Sequence, residues 1–348
     1  MDFKKIQMPR LVYIGSGVIN ETGKICNDLK IKDNLLIVTG SLTQKIAGDL
    51  VKENLEDSDY NVSLVKIDDA TEKSVKYVEG KSDDMSLILG VGGGKVIDVS
   101  KMASKSKNVD FISIPTSAAH DGIASPLASI KQNNQDSSSL YAQAPISVIA
   151  DTDIIRKAPF KFLSSGCADV ISNYTAIKDW QLANRLRNES YSESAAALSI
   201  MTAKLIIESS DAVKKELEES AKLVVRSLFS SGMSISIAGS SRPASGSEHK
   251  FSHAIDKIVK KPALHGHQCG VGTIMMMNLH GGDWKFIRDA LKDINAPTTA
   301  YDLNIDPDDI VDALSIAHEI RKDRYTILGE GGLSRSAAKN LAIRTGVI

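Results

Sequence analysis

Short runs of β-branched and other apolar residues alternate with amphipathic stretches through the first 150 residues of the chain. This alternation is typical of a parallel sheet whose strands are joined by helices. The predicted strands are residues 35–39, 62–67, 87–91, 111–114 and 147–150, with helices over 41–55 and from Lys95. The polar stretch 132–139 is predicted to be a hairpin or an exposed loop.

Apolar residues at helical spacing dominate from about residue 155 onward, for example over residues 192–209 and 212–228. The sequence therefore predicts an N-terminal α/β domain of residues 1–155 and an all-α C-terminal domain of residues 156–348. Because no low-complexity linker is present, we expect the domains to pack closely around a cleft. Such clefts are a favoured place for ligands.

Composition and charge exclude several classes of partner. A net charge of −1 gives no overall field to attract nucleic acid, and 5% aromatic residues is low for stacking on single strands. No apolar run approaches the roughly 20 residues of a bilayer-spanning helix, and the first residues lack the apolar core of a signal peptide. Cys26, Cys167 and Cys269 are odd in number and far apart, which argues against disulfides. We therefore expect a cytoplasmic protein with no nucleic-acid partner and no stable membrane insertion.

A glycine triplet separates the third predicted strand from the helix that follows it. The segment is Gly92-Gly93-Gly94-Lys95-Val96-Ile97-Asp98. Glycines let the backbone approach an anion, helix N-terminal amides donate to it, and α/β sheets bind ligands beyond the carboxyl ends of their strands. Since neither G-x-G-x-x-G nor a P-loop is present, a tight turn without a ligand stays possible, although the triplet favours binding. Asp98 is expected to hold the loop or to accept from an amide or ribose group.

Two other strand ends belong to the same predicted edge of the sheet. The first, Thr39-Gly40-Ser41, carries no carboxylate that would repel a 2′-phosphate, so NADPH is permitted beside NADH. The second, residues 115–121, offers hydroxyls and amides to a cofactor, and Asp121 could reach a substrate hydroxyl. Alternatively, the Asp and Thr side chains of this segment satisfy amides of their own loop.

Histidine is concentrated in one region, where five of the seven histidines lie close together in the second half of the chain. A catalytic zinc takes about three His or carboxylate ligands and keeps one position open. Asp169, His249 and His265 supply such a set. His253 and His267 are then left to contact substrate, to relay a proton or to orient a ligand. The same residues could instead be ordinary polar residues of helices, since H-x-x-x-H pairs also occur without metal.

Several of these motifs occur together in one group of enzymes. Over nearly its full length the chain resembles the sn-glycerol-1-phosphate dehydrogenases, the archaeal-type branch of the superfamily of glycerol dehydrogenases, iron-containing alcohol dehydrogenases and dehydroquinate synthases. The glycine turn marks the whole superfamily, whereas residues 120–126 and 240–253 are more specific to this branch. The anchoring segments are residues 92–98, 115–126, 169–173, 239–253 and 265–272.

The resemblance implies both a fold and a set of site residues. The fold is dehydroquinate synthase-like, with a Rossmann-like NAD(P)-binding domain followed by a helical domain that binds metal and substrate. Asp169, His249 and His265 are implied as ligands of one Zn²⁺ per subunit. The implied catalytic and substrate-contacting residues are Asp121, Asp169 and His253. The implied contacts of NADH or NADPH are Gly92, Gly93, Gly94, Lys95, Val96, Ile97, Asp98, Thr116, Ser117, Ala118, Ala119 and Ser125.

The implied reaction reduces dihydroxyacetone phosphate to sn-glycerol 1-phosphate, the glycerophosphate backbone of archaeal-type membrane phospholipids. Zinc would act as a Lewis acid on the ketone, and either His253 or a metal-linked water near Asp121 would deliver the proton. Arg242 and His253 are candidates for binding the substrate phosphate, although Arg242 could equally cap a helix. We expect a homo-oligomer.

Three positions depart from the superfamily pattern or leave a choice open. His267 stands where much of the superfamily has Glu, so it competes with His265 as a ligand. Asn173 stands where iron-dependent alcohol dehydrogenases have a histidine, which favours zinc over iron. Cys269 is a possible soft ligand, although packing as a small apolar residue is favoured.

Three other functions compete with this prediction. They are a glycerol or other polyol dehydrogenase, a dehydroquinate synthase-like lyase, and a regulator that binds nucleotide without chemistry. The lyase branch normally has Glu at the position of Asp169 and needs more basic residues for its substrate, which makes it the weaker alternative. The intact ligand set argues against a regulator.

Overall fold

The computed structural model describes residues 6–32, 34–131 and 137–348. The chain divides into two compact units, Met1–Leu163 with Lys215–Ser236, and Ser164–Lys214 with Ile237–Ile348. The boundary predicted at residue 155 cuts the chain once, whereas here the first unit also takes in the later residues 215–236. A local sequence pattern does not reveal that residues 215–236 join the first unit, because this assignment depends on contacts between residues far apart in the chain.

The first unit is built on a six-stranded parallel sheet and a small hairpin. The strands are β1 (Leu11–Gly15), β2 (Asn34–Thr39), β3 (Asn61–Lys66), β4 (Leu87–Gly92), β5 (Asp110–Pro115), β6 (Leu127–Lys131), β7 (Ser137–Tyr141) and β8 (Ser147–Asp151). Their order in the sheet is β1-β8-β5-β4-β2-β3. The five predicted strands are confirmed. The half-buried edge strand β1 is an addition, because its short apolar run resembles an isolated patch until β8 pairs with it.

The central strands are covered on both faces. On β2, Leu35 and Ile37 belong to one apolar core, and Leu36 and Val38 belong to the other. All four side chains are fully buried. A strand buried on both faces is apolar at every position, which explains why these runs show no period-two alternation.

The remaining two strands form an antiparallel hairpin. β6 pairs with β7 from Leu127 opposite Tyr141 to Lys131 opposite Ser137. The hairpin or loop predicted over 132–139 thus coincides with β7 at residues 137–139, and residues 132–136 lie outside the described residues.

Helices connect the parallel strands, as the sequence predicts. They are α1 (Thr22–Asp28), α2 (Ser41–Thr43), α3 (Asp49–Glu56), α4 (Glu72–Glu79), α5 (Gly94–Lys107) and α6 (Thr152–Lys157). The helix predicted over 41–55 is confirmed, with a π-helical turn at Gln44–Gly48 between α2 and α3. α5 begins directly at the glycine turn.

The second half of the chain is helical, and the predicted α/β-plus-helical fold class is confirmed. Its helices are α7 (Phe160–Arg187), α8 (Glu193–Glu208), α9 (Glu218–Ala238), α10 (Ser247–Ile258), α11 (His265–Leu279), α12 (Trp284–Asp293), α13 (Pro307–Ile316) and α14 (Arg335–Thr345). The helix predicted over 212–228 is wrong at its start: α9 begins at Glu218, because Val213 is extended and Glu216 has a left-handed φ of 60°. Within the described ranges, no helix has the length and apolar character to cross a bilayer.

Candidate functional site

Three helices of the second unit bring a carboxylate, two imidazoles and a thiol together. Asp169 lies on α7, His249 on α10, and His265 and Cys269 on α11. One ligand atom from each lies within 4.8 Å of all the others. The Nε2 atoms of His249 and His265 are 3.8 and 3.9 Å from Asp169 Oδ1. These separations exceed a hydrogen bond and suit atoms that flank one ion about 2 Å from each, so the donor set fits zinc.

Two glycines allow the helices to approach closely enough for this. A Cβ at Gly266 would lie 2.1 Å from the carbonyl oxygen of Ser165, one turn before Asp169 on α7. A Cβ at Gly246, just before α10, would lie 2.8 Å from the Cα of Ala176, which is also on α7. Side chains at either position would push α11 or α10 away from α7, and the ligand atoms would separate.

His249 is held by a buried carboxyl group. Its Nδ1 lies 3.0 Å from Glu248 Oε1, and Glu248 also accepts from Thr175 Oγ1 (2.8 Å) and from the Gly246 amide (2.6 Å). Burial and the nearby Asp179 raise the pKa of Glu248 to about 8. An Nδ1–H donated to this carboxyl group leaves the Nε2 lone pair facing Asp169, the arrangement of a metal-binding histidine with an orienting partner. Burial, followed by the charges of neighbouring histidines and arginines, holds the pKa of His249 well below its usual range. The imidazole is therefore neutral, as a metal ligand must be.

His265 is held by a chain of hydrogen bonds that fixes its proton. Gln268 Nε2 faces two acceptors, Asp256 Oδ1 at 3.2 Å and the Ala263 carbonyl at 2.9 Å. Gln268 Oε1 must then be the atom that accepts from the Ser252 hydroxyl at 2.9 Å. Since that hydroxyl proton is committed, Ser252 Oγ accepts from His265 Nδ1 at 3.1 Å. The proton therefore sits on Nδ1, and Nε2 is left to bind a metal.

Ser252→Ala is expected to weaken zinc binding about 10- to 100-fold, the usual effect of losing a partner that orients a metal ligand. Competition against a chromophoric chelator would measure the zinc dissociation constant. Ser315→Ala is the matched control, because the Ser315 hydroxyl donates to the Val311 carbonyl of its own helix and no bond to a candidate ligand is seen among the described residues. Equal zinc affinity in the two variants would contradict the proposed role of Ser252.

The structure separates the remaining histidines of this region. His253 lies beside the centre, with its ring centroid 5.7 Å from that of His265 and its Nδ1 3.8 Å from Asp256 Oδ2. His267 turns to another side of α11, where its Nε2 lies 3.2 Å from Ser164 Oγ. The geometry therefore favours His265 over His267 as the ligand, a choice that spacing alone left open.

Cys269 and Arg242 also differ from what their sequence context suggests. Cys269 Sγ is 3.6 Å from His265 Nε2, so the thiol borders the centre, although burial raises its pKa well above the usual value and keeps it protonated. Arg242 forms an ion pair with Glu189 and donates to the Tyr325 carbonyl at 2.8 Å. Its charge is thus neutralised inside the protein.

The glycine turn lies between β4 and α5 in the first unit. A Cβ at Gly94 would lie 1.9 Å from His120 Nε2, so this glycine is required by packing of the His120 ring. A Cβ at Gly93 would meet only Ser117 Oγ, at an ordinary 3.6 Å. No side chain caps the start of α5, which leaves its first turn suited to an anion.

Asp98 and Lys101, both on α5, bond to the segment that follows β5 and so hold it against this helix. Asp98 Oδ2 accepts from the Ser129 amide at 3.0 Å, and its Oδ1 is 3.1 Å from Lys101 Nζ. The fully buried Lys101 also donates to the carbonyls of Gly122 and Leu127. In this structure Asp98 therefore holds the loop and accepts a hydrogen bond from a backbone amide.

The other residues predicted to face a cofactor or substrate follow β5. The Thr116 amide donates to the Gly92 carbonyl at 3.0 Å, so the two predicted segments are neighbours at the carboxyl edge of the sheet. Ser125 is buried, and Asp121 Oδ2 accepts from Ser231 Oγ on α9 at 2.9 Å.

Sequence reasoning missed the residues that orient the candidate ligands. Glu248 directly precedes His249, and this adjacency is the one local signal that was available. Ser252 and Gln268 carry no comparable signal, because their roles depend on how α10 packs against α11.

Comparison with known proteins supplies the family. The family model described as iron-containing alcohol dehydrogenase matches residues 13–159. Glycerol-1-phosphate dehydrogenase (NAD(P)+) of Methanothermobacter thermautotrophicus is 63% identical, and that of Methanobrevibacter smithii is 61% identical, each over 348 residues and 100% of both chains. Among solved structures, glycerol dehydrogenase from Schizosaccharomyces pombe superposes with a TM-score of 0.82 at 17% identity, covering 99% of this chain and 91% of that chain. That likeness shows the shared fold.

Proposed function

The chain belongs to the glycerol-1-phosphate dehydrogenase family, and from this membership we propose that it reduces dihydroxyacetone phosphate to sn-glycerol 1-phosphate with NADH or NADPH and zinc. The product would serve as the glycerophosphate backbone of archaeal-type membrane phospholipids. The single observation that carries the zinc dependence is the meeting of Asp169, His249 and His265 within 4.8 Å. Identity of 63% over the full length of the relative supports the reaction.

Asp169, His249 and His265 would hold the metal through one carboxylate oxygen and two Nε2 atoms. A zinc ion bound there supplies a Lewis acid that polarises the substrate carbonyl. With two neutral imidazoles and one carboxylate, a bound Zn²⁺ would keep a net positive charge. This charge would stabilise the substrate carbonyl oxygen as it becomes negative during reduction. Glu248 and Ser252 keep the two imidazoles in the required tautomers by accepting from Nδ1.

The nicotinamide cofactor, when bound, supplies the hydride. The uncapped start of α5 and residues 116–119 would bind its phosphates and sugars through backbone amides and hydroxyls. Thr39, at the end of β2, is buried and donates to the Val91 carbonyl at 2.8 Å. Because no carboxylate stands at residues 39–41, a 2′-phosphate meets no repulsion there, which supports use of both NADH and NADPH.

His253 is the proposed proton donor to the product oxygen. Its ring lies beside that of His265, and its side chain is 18% exposed, so a substrate can reach it. Asp121 is the proposed contact for a substrate hydroxyl, and its hydrogen bond from Ser231 fixes the carboxylate.

The assay uses the full-length protein with dihydroxyacetone phosphate and each reduced cofactor. We expect oxidation of both cofactors, loss of activity after chelation, and recovery with added zinc. Chiral analysis of the product should yield the sn-1 phosphate. Turnover of unphosphorylated dihydroxyacetone with none of the phosphate ester would replace the proposal with a polyol dehydrogenase. Full activity after complete removal of metal would exclude the zinc dependence.

A further inference from the structure

Two guanidinium groups of the second unit converge on one neutral oxygen. Arg324 donates to Ser241 Oγ at 2.6 Å, and Arg321 donates to the same atom at 3.3 Å. The other contact of Arg324 is the Ser245 carbonyl at 2.6 Å. Among the residues that the structure describes, no carboxylate lies within ion-pair distance of either guanidinium. Two like charges held together in a half-buried place are unfavourable unless an anion joins them.

The surrounding charges compensate this pair only from a distance, since Asp323 and Glu248 favour the charged form of Arg324 without forming an ion pair with it. Glu189 is engaged by Arg242, so its negative charge is already matched. The buried Lys250 adds a further cation, whose Nζ donates to the His318 carbonyl at 3.5 Å. Burial, followed by the charges of Arg321 and Arg242, lowers the pKa of Arg324 to about 9. Arg321 and Arg324 thus lie beside each other with a hydroxyl, and no carboxylate of the described residues, in direct contact.

The two guanidinium groups adjoin the helix that carries a candidate metal ligand. The Ser245 carbonyl that anchors Arg324 lies two residues before α10, a helix of 12 residues with His249 in its first turn. The N-terminus of α10 adds a partial positive charge of the same sign.

Arg321 also has an unusual backbone. Its φ of 46° lies in the left-handed region, which arginine seldom adopts. The residue lies in the same short turn as Arg324, whose amide donates to the Arg321 carbonyl at 2.9 Å.

We propose that Arg321 and Arg324, together with the Ser241 hydroxyl, bind the phosphate group of a phosphate monoester substrate beside Asp169, His249 and His265. The inference rests on the proposed function and adds to it the residues that select a phosphorylated substrate. Guanidinium groups match phosphate oxygens through two parallel N–H donors each. The Ser241 hydroxyl, freed from accepting both arginines, donates to a third oxygen. Arg242 was the sequence-based candidate for this role, but its guanidinium is already paired with Glu189.

The kinetic test compares Arg321→Ala and Arg324→Ala with Lys322→Ala. Lys322 is exposed and lies on the same segment, so its replacement removes the same charge without touching Ser241. We expect the KM for dihydroxyacetone phosphate to rise about 10- to 100-fold in each arginine variant, as for loss of one charge-assisted hydrogen-bonded group. The kcat/KM for unphosphorylated dihydroxyacetone should stay within about threefold, and the lysine variant should match wild type on both substrates. A similar loss on both substrates would overturn the proposal and assign a structural role to the arginines.

A binding test separates this inference from the reaction. Inorganic phosphate is titrated calorimetrically into the purified full-length protein and into the Arg321→Ala/Arg324→Ala and Arg324→Lys variants. Wild type should bind phosphate, the double variant should lose this binding, and Arg324→Lys should retain an intermediate affinity because it keeps the charge without the planar fork. Equal phosphate binding by wild type and the double variant, or none by wild type, would overturn the site. Phosphate binding without turnover of dihydroxyacetone phosphate would instead reject the proposed reaction and leave the anion site standing.

Discussion

His265→Ala is expected to lower kcat for dihydroxyacetone phosphate at least about 1,000-fold and to abolish stoichiometric zinc, because a two-ligand site does not hold the Lewis acid that supplies several kcal/mol of barrier reduction. Asp169→Asn should behave similarly, since it removes the charged ligand that both His249 and His265 face. Metal analysis of the purified protein and initial rates at saturating cofactor would measure both effects.

His267→Ala is the matched control, because it removes the same side chain from the same helix. His267 bonds to Ser164, away from the four clustered residues. The variant should keep its zinc and lose little activity. If His267→Ala lost the metal while His265→Ala retained it, the assignment of ligands would be wrong.

Lys101→Met is expected to destabilise the protein by about 3–5 kcal/mol, the usual effect of removing one partner from a buried ion pair. The substitution would leave Asp98 as a buried carboxylate without its cation, and the carbonyls of Gly122 and Leu127 without a donor. Denaturant unfolding of the full-length protein would measure the loss in the free energy of unfolding.

Lys107→Met, six residues later on the same helix, is the control. Lys107 is more exposed and pairs with Asp83 at the surface, so its loss should cost less than about 1 kcal/mol. Adding Asp98→Asn to Lys101→Met should recover part of the stability, because it removes the uncompensated charge. Equal unfolding midpoints for Lys101→Met and Lys107→Met would show that the buried pair contributes little.

The sheet and the candidate ligands were largely predictable because their signals are local. A strand covered on both faces must be apolar at every position, so β2, β4 and β5 could be recognised from short runs. The glycine turn follows from its place between β4 and α5. Carboxylate and imidazole are side chains that zinc prefers, so residue type predicted a metal site in this region, and the family resemblance selected Asp169, His249 and His265.

Other features depend on pairing between segments that lie far apart in the chain. The choice between His265 and His267 required the rotation of α11 against α7, and Gly266 makes that approach possible. The pairing of Glu189 with Arg242, which leaves Arg321 and Arg324 against the Ser241 hydroxyl, likewise depends on contacts between distant segments.

Residue chemistry and local periodicity thus determined which secondary elements form and which side chains can bind metal or cofactor, since each acts through its own backbone and immediate neighbours. Folding of the chain in three dimensions determined which imidazole faces Asp169, which tautomer it adopts, and which arginine remains without a carboxylate. Electrostatic and hydrogen-bonding partners are selected by distances of about 3–4 Å, and those distances are set by tertiary packing, which brings together residues as remote as Ser241 and Arg324.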